Sequence, residues 1–140
     1  MRKLRIGAAL AMILTLGVAG AATASHTVTA NDHNTILGNP KCPGGMAYTL
    51  KIEAEDLGVG TYGAIQITGY DGKYVSWAIA PGYVDTYDAN LVIVKGGPNA
   101  EIYQYDTWDD YDNGLTAPMN PNSGKWYGIS HVQFCFDPKA

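Results

Sequence analysis

The clearest hydrophobic pattern in the chain is an alternation with a period of two residues. In YTLKIEAE, residues 48–55, every second residue from Tyr48 onward is apolar, and the residues between them are polar or charged. Such alternation is typical of a β-strand with one buried face. The segment AIQITGYDGKYVSWAIA, residues 64–80, shows apolar residues at alternate positions on both sides of Asp71-Gly72, a dipeptide typical of hairpin turns. These segments predict paired antiparallel strands.

A second kind of segment is apolar without interruption. Four consecutive aliphatic residues at 91–94 predict a strand covered on both faces, as in the middle of a sandwich. A turn at 96–99, a strand at 101–105 and a last strand at 128–136 follow. Nowhere do apolar residues recur at helical spacing for ten residues, and seventeen glycines and seven prolines supply frequent turns. We therefore predict an all-β fold, an antiparallel two-sheet β-sandwich.

The first 24 residues have the three parts of a secretory signal peptide. Three basic residues lie among the first five, an apolar run extends to about residue 22, and Ala22-Thr23-Ala24 offers a small-x-small cleavage site. A retained membrane anchor is the alternative, and the glycines in the run together with the cleavage site favour removal. We expect a signal peptide at 1–24, a flexible polar lead-in at 25–40, and a β-sandwich domain at 41–140.

Cleavage would leave a strongly acidic chain. Six lysines and thirteen acids remain in the 116 residues after position 24, a net charge of −7 with no arginine. Phosphate backbones and anionic lipid heads would repel such a chain, so we expect no nucleic-acid partner and no membrane partner after cleavage. The expected location is secreted or extracellular, with cell-wall association as a narrower version. The expected partner is an extracellular glycan or protein, and self-association through strand edges stays open.

Two cysteines, Cys42 and Cys135, lie near the two ends of the domain. The KWYGISHVQFCFDP segment places His131 four residues before Cys135. This spacing raises three alternatives: a nucleophile with its base, half of a metal site, or a structural disulfide. Residues four apart on a strand are about 13 Å apart, too far for a catalytic pair. Cys135 also lies between Phe134 and Phe136, an apolar setting for a thiol. We predict a Cys42–Cys135 disulfide and a partly buried, hydrogen-bonded His131.

The densest acidic cluster is DTWDDYDNG, residues 106–114. Oxygen-rich loops suit calcium, but the spacing fails the EF-hand pattern, and a solvated acidic loop is the alternative. We therefore expect no cofactor and keep calcium as a weak alternative. Its candidate ligands are Asp106, Asp109, Asp110 and Asp112.

Aromatic residues are the best ligand-binding candidates. The chain has ten tyrosines and only two phenylalanines, and a tyrosine offers an apolar ring with a polar tip that suits a ligand-facing surface. The alternative is that the tryptophans cover the ends of the core. We predict no catalytic residue, since a GxSxG motif and a nucleotide-binding fingerprint are absent. The candidates are Tyr103 and Tyr105 on one strand face and Trp108, Tyr111, Trp126 and Tyr127 in or beside loops.

The motifs together resemble a family of secreted or cell-wall-associated bacterial β-domains of the actinobacterial type. The shared pattern comprises NPxC at 39–42, an aspartate before VIVKGG at 92–97, YxYD at 103–106, GLxxPxN at 114–120 and SHxxFC at 130–135. The resemblance implies an exported module without an assigned activity. It also implies pairing of the NPxC and SHxxFC cysteines, Cys42 and Cys135.

These observations predict a secreted, non-catalytic interaction module for an extracellular glycan or protein. One alternative is a metal-dependent polysaccharide-active protein. In one version of it, the mature chain would begin at His26, whose amine and imidazole would bind copper together with His131. A self-assembling surface component is the other alternative.

Overall fold

The computed structural model describes residues 32–106 and 109–140, which form a two-sheet antiparallel β-sandwich. The predicted fold class is confirmed. Across these residues, no helix is long and apolar enough to cross a membrane. The predicted signal peptide, residues 25–31 of the predicted lead-in, His26 and Trp108 lie outside the described residues. In chain order the strands are β1 (Asp32–Leu37), β2 (Tyr48–Glu53), β3 (Gly60–Tyr62), β4 (Ile65–Tyr70), β5 (Tyr74–Ile79), β6 (Tyr87–Gly96), β7 (Asn99–Gln104), β8 (Tyr111–Thr116), β9 (Met119–Asn120), β10 (Lys125–Trp126) and β11 (His131–Pro138).

Nine of these strands form the two main layers. The five-stranded sheet has the order β1-β7-β6-β11-β2, and the four-stranded sheet has the order β3-β4-β5-β8. The strands β9 and β10 form a separate short hairpin. Two 3-10 helices, Ala54–Asp56 and Pro81–Tyr83, lie where the chain passes from one sheet to the other. The chain therefore changes sheets repeatedly, and both layers are needed to close the core.

The core lies between the two sheets and is organised around Trp77. The apolar positions of β5 that the alternation predicts to face inward, Val75, Trp77 and Ile79, are all buried. The Trp77 ring lies 5.8 Å from that of Phe134 and 5.7 Å from that of Phe136, both on the opposite sheet. A buried ring of this size typically contributes about 3–5 kcal/mol relative to alanine.

The central strand of the five-stranded sheet is β6, as its unbroken aliphatic run predicts. Val92 and Val94 point into the core, whereas Ile93 points to the outer face and is also fully buried. The outer face is covered there because residues 38–47 cross it on the way from β1 at one edge to β2 at the other. The prediction of a strand covered on both faces is confirmed.

The disulfide fastens this crossing segment to the sheet. Cys42 and Cys135 are bonded, with 5.6 Å between their Cα atoms, as predicted. Cys135 belongs to a small outer cluster with Ile93 and Ala100, against which Cys42 and Met46 pack. The bond therefore joins the crossing segment to β11 across this second, smaller core.

Part of the segment predicted to be a flexible lead-in is structured. Asp32–Leu37 forms β1, which pairs antiparallel with β7. Both oxygens of the buried Glu101 carboxylate are engaged by this strand, one with His33 Nδ1 at 2.8 Å and the other with the Thr35 hydroxyl at 2.7 Å. The partner of this polar strand lies some 66 residues away in the chain, so local composition gives no sign of it.

Candidate binding face on the four-stranded sheet

Two of the predicted ligand-binding residues, Tyr103 and Tyr105, belong to the core. Their exposed fractions are 3% and 9%. The Tyr103 hydroxyl donates to the Thr116 carbonyl and accepts from the Thr116 N–H, each at 2.9 Å, and the Tyr105 hydroxyl donates to Asp112 Oδ2 at 2.8 Å. Burial raises the pKa of both phenols above the ordinary value. Their polar tips are satisfied inside the protein, so the prediction that they face a ligand is wrong.

The predicted acidic loop does not assemble into a metal site in the part of the chain that the structure describes. Asp112 is fully buried against Tyr105, whereas Asp109 Oδ2 accepts from the Asp106 N–H at 3.2 Å. The Asp110 carbonyl accepts from the Ile79 N–H at 2.8 Å. No group of three or more His, Cys, Asp or Glu side chains within residues 32–106 and 109–140 is arranged to hold a metal ion. These acids instead shape the turn before β8 and anchor that strand to the core.

His131 is more deeply buried than predicted, and its ring nitrogens lack the predicted hydrogen bond among the described residues. Its exposed fraction is 6%, and its Nδ1 lies 4.0 Å from Glu53 Oε2, which is beyond hydrogen-bond distance. Its Nε2 has no hydrogen-bond partner among the described residues. Burial lowers the pKa of His131, and the nearby charge of Lys51 lowers it further. The predicted hydrogen bond of His131 is therefore absent among the described residues, and burial disfavours the charged form of the imidazole.

The outer face of the four-stranded sheet is the surface with the most distinctive chemistry. Its side chains that point away from the core carry no charge, although the whole chain has thirteen acids and nine bases. We call this surface the neutral face. It comprises Thr61 on β3, Gln66 and Thr68 on β4, Tyr74, Ser76 and Ala78 on β5, and Tyr111 and Asn113 on β8.

The middle of the neutral face is recessed relative to its borders because β5 carries small side chains there, Ser76 and Ala78. Ala78 lies between Gln66 on β4 and Tyr111 on β8 in one row across the sheet. Ser76 lies opposite Gly69, and its hydroxyl accepts from the Gly114 N–H at 3.0 Å. Longer side chains on the flanking strands therefore border a shallow floor along β5.

Aromatic residues stand at both ends of this floor. At one end the Tyr74 and Trp126 rings pack edge to face with 5.3 Å between centroids, and Lys73 Nζ donates to the Trp126 carbonyl at 2.7 Å. At the other end Tyr111 is 56% exposed beside Ala78. Tyr74 and Ala78 are four residues apart on β5, which corresponds to about 13 Å. Trp126 and Tyr111 thus share one side of the molecule but do not form one continuous patch.

The remaining aromatic candidate with a described position, Tyr127, lies elsewhere. Its ring covers the turn between β6 and β7, where a Cβ added at Gly97 would be 2.7–2.8 Å from the ring atoms. Tyr127 is half-buried and packs against the main core. The binding prediction for Tyr127 is therefore replaced by a structural role.

Tyr74 was not among the sequence-based candidates, although the alternation contains the signal for it. In YVSWAI, residues 74–79, the core positions are Val75, Trp77 and Ile79, so Tyr74 must face outward with Ser76 and Ala78. An aromatic residue at an outward position beside two small ones marks an exposed ring with room above the strand. The register with β8 and the position of Trp126 could not be predicted from the sequence and are seen only in the structure.

The chain matches no protein-family model, and no curated protein or solved structure shows significant similarity to it. The resemblance to actinobacterial β-domains therefore stays a prediction. The chemistry of the neutral face carries the functional argument.

Proposed function

We propose that this protein is an exported, non-catalytic module that binds an uncharged polysaccharide at or outside the cell surface through the neutral face. One observation carries the proposal. In a strongly acidic chain, the outward side chains of a whole four-stranded sheet are uncharged, and aromatic rings stand at both ends of its low floor.

The composition of the neutral face suits sugars. Aromatic ring faces pack against the apolar faces of pyranose rings, and the remaining side chains read hydroxyl groups. Thr61, Thr68, Gln66 and Asn113 are exposed and each can both donate and accept hydrogen bonds. A ligand lying along the floor would contact Tyr111 at one end and the Tyr74–Trp126 pair at the other, so an extended chain fits better than a single sugar.

The same face offers no carboxyl or imidazole group for acid–base chemistry. A general acid or base requires a carboxyl, imidazole or similar group within hydrogen-bond reach of the reacting atom. The eight residues of the neutral face include neither a carboxyl nor an imidazole group, and the buried His131 lies on the other sheet. Binding without catalysis is therefore the proposal that the residues of the face support.

Export rests on two features of the chain. The first 24 residues have the charge, apolar run and cleavage site of a signal peptide. The Cys42–Cys135 disulfide is compatible with an extracellular location, since such bonds persist in oxidising compartments.

The test is retention of the purified protein on insoluble cellulose, chitin and bacterial cell wall. We expect retention on at least one polymer, and we expect Trp126→Ala and Tyr111→Ala each to weaken it by about 2 kcal/mol, roughly 30-fold. Because the face is uncharged, added salt should leave retention unchanged.

Tyr83→Ala provides the matched control. Tyr83 is also an exposed tyrosine, at 40%, but it stacks on Tyr87 away from the neutral face, so its removal should leave retention unchanged. Melting temperatures of all three variants establish that each is folded. Absence of retention on every polymer, or equal retention of wild type and both face variants, would refute the proposal.

A further inference from the structure

The edge strand β1 contributes little to the core of the sandwich. Every side chain of β1 that the structure describes, residues 33–37, is exposed, and Leu37 reaches 81%. The strand at the opposite edge of the same sheet, β2, buries Ile52 to 3%. Burial of apolar surface is the main term that holds a strand in place. The contacts of β1 include a ladder of six residue pairs with β7 and its bonds to Glu101.

The β7 edge is a specific site for a strand of this sequence. Glu101 is 8% exposed, and its two carboxylate oxygens engage His33 and Thr35, which are two residues apart on β1. The His33 ring also stacks on Tyr103, with 5.5 Å between centroids. Slippage by one residue would turn both polar side chains away from Glu101, so these contacts fix the register.

Gly38 follows β1 directly, and the Cys42–Cys135 disulfide lies just beyond it. Gly38 has a φ of +80°, and no atom lies within 4 Å of the position where a Cβ would be. Only residues 39–41 separate Gly38 from Cys42, which is bonded to β11. A rotation at Gly38 would release β1 while the disulfide keeps the crossing segment on the sheet.

We propose that β1 is an exchangeable strand, which leaves its own β7 edge and pairs with the β7 edge of a second copy of this chain. The same antiparallel register and the same Glu101 contacts would form between copies, so the exchange replaces each interaction with an identical one. Because the donated strand and the receiving edge are different surfaces, the contact is head-to-tail and links copies in series unless a ring closes. The neutral face lies on the other sheet and stays accessible throughout.

The experiment mixes two variants of the full chain, each of which carries one added cysteine besides the Cys42–Cys135 disulfide. Leu37 lies opposite Asn99 in the ladder, and directly opposed antiparallel residues have Cα atoms about 4.5–5.5 Å apart, within the range of a disulfide. Leu37→Cys and Asn99→Cys proteins are combined just below the melting temperature and mildly oxidised. We expect a covalent heterodimer with a 37–99 linkage in the peptide mass spectrum. The control replaces Asn99→Cys by Thr68→Cys, an exposed position on the other sheet.

A second arm tests the receiving edge without a second donor protein. A biotinylated peptide of residues 32–38 carrying Leu37→Cys should be captured by the Asn99→Cys protein. The same peptide with His33→Ala and Thr35→Ala should be captured at least roughly tenfold less, since it lacks both hydrogen bonds to the carboxylate. Heterodimer and peptide yields no higher than those of the Thr68→Cys control would overturn the proposal. So would equal capture of the two peptides.

Discussion

Removing the Cys42–Cys135 disulfide tests how much of the stability depends on the crossing segment. The two cysteines are 93 positions apart, so the bond closes almost the whole described domain into one loop. On the chain-entropy relation, a loop of this length stabilises the folded state by about 4.7 kcal/mol. Cys135 is fully buried against Ile93 and Ala100, so a double Cys→Ala change also removes packing and brings the expected loss to about 5 kcal/mol. The whole free energy of unfolding of a typical domain is about 5–15 kcal/mol.

The assay is urea unfolding of the wild type, the reduced wild type and the double alanine variant. Reduction alone should cost about 4–5 kcal/mol and lower the melting temperature by about 20–40 °C, and the alanine variant should lose slightly more. Thiol counting on the native protein in denaturant without reductant should find none. A decrease in the free energy of unfolding of less than about 2 kcal/mol on reduction would refute the reasoning. It would mean that the packing of the crossing segment holds that segment on the sheet without the disulfide.

Three further outcomes follow from single contacts. Tyr103→Phe removes a hydroxyl that both donates to and accepts from Thr116, and should lower the free energy of unfolding by about 1–3 kcal/mol in urea melts; no change would contradict the buried bonds. Burial lowers the pKa of His131, so the unfolded chain takes up its proton first as the pH falls below about 6.5. Urea melts at pH 7 and pH 5 should therefore show a larger loss of stability for the wild type than for His131→Gln, and equal losses would contradict the shift. Calorimetry with and without a calcium chelator should give the same melting temperature, since the described acids form no metal site. A lower melting temperature with chelator would support the calcium-site alternative.

The strands that alternate cleanly could be predicted because their side chains report the fold directly. The predicted strand beginning at Tyr48 corresponds to β2, and the apolar run at 91–94 lies in the central strand β6. In both, the pattern of burial follows the pattern of the sequence, since each inward position is apolar. The disulfide was predictable for a similar reason, because Cys135 alternates with Phe134 and Phe136 in a strand that must be buried.

Among the strands that the sequence analysis did not predict, β8 and β1 depend on polar partners in other strands. In β8 an inward position is Asp112, whose burial is compensated by the Tyr105 hydroxyl. The polar strand β1 is held through Glu101 on β7. A single sequence shows the polar residue but not its partner, so such segments look like loops.

The same limitation affected the prediction of the ligand-binding residues. Tyr103 and Tyr105 resemble ligand-facing residues in sequence, because nothing local shows that Thr116 and Asp112 meet their hydroxyls in the core. Tyr111 stands on the neutral face and Trp126 packs against Tyr74 at its end, although their separation along the sheet depends on strand register. Trp108 lies outside the described residues.

The position of the disulfide also determines how the domain responds to tension. A pull transmitted along the backbone from residues before Cys42 to residues after Cys135 passes directly through the two sulfurs, because that covalent path bypasses everything between them. Such a pull therefore cannot extend the segment from 43 to 134 end to end while the bond is intact. Only β1 and the last residues of β11 can be peeled away, and the sheet with the proposed sugar-binding surface stays folded under shear.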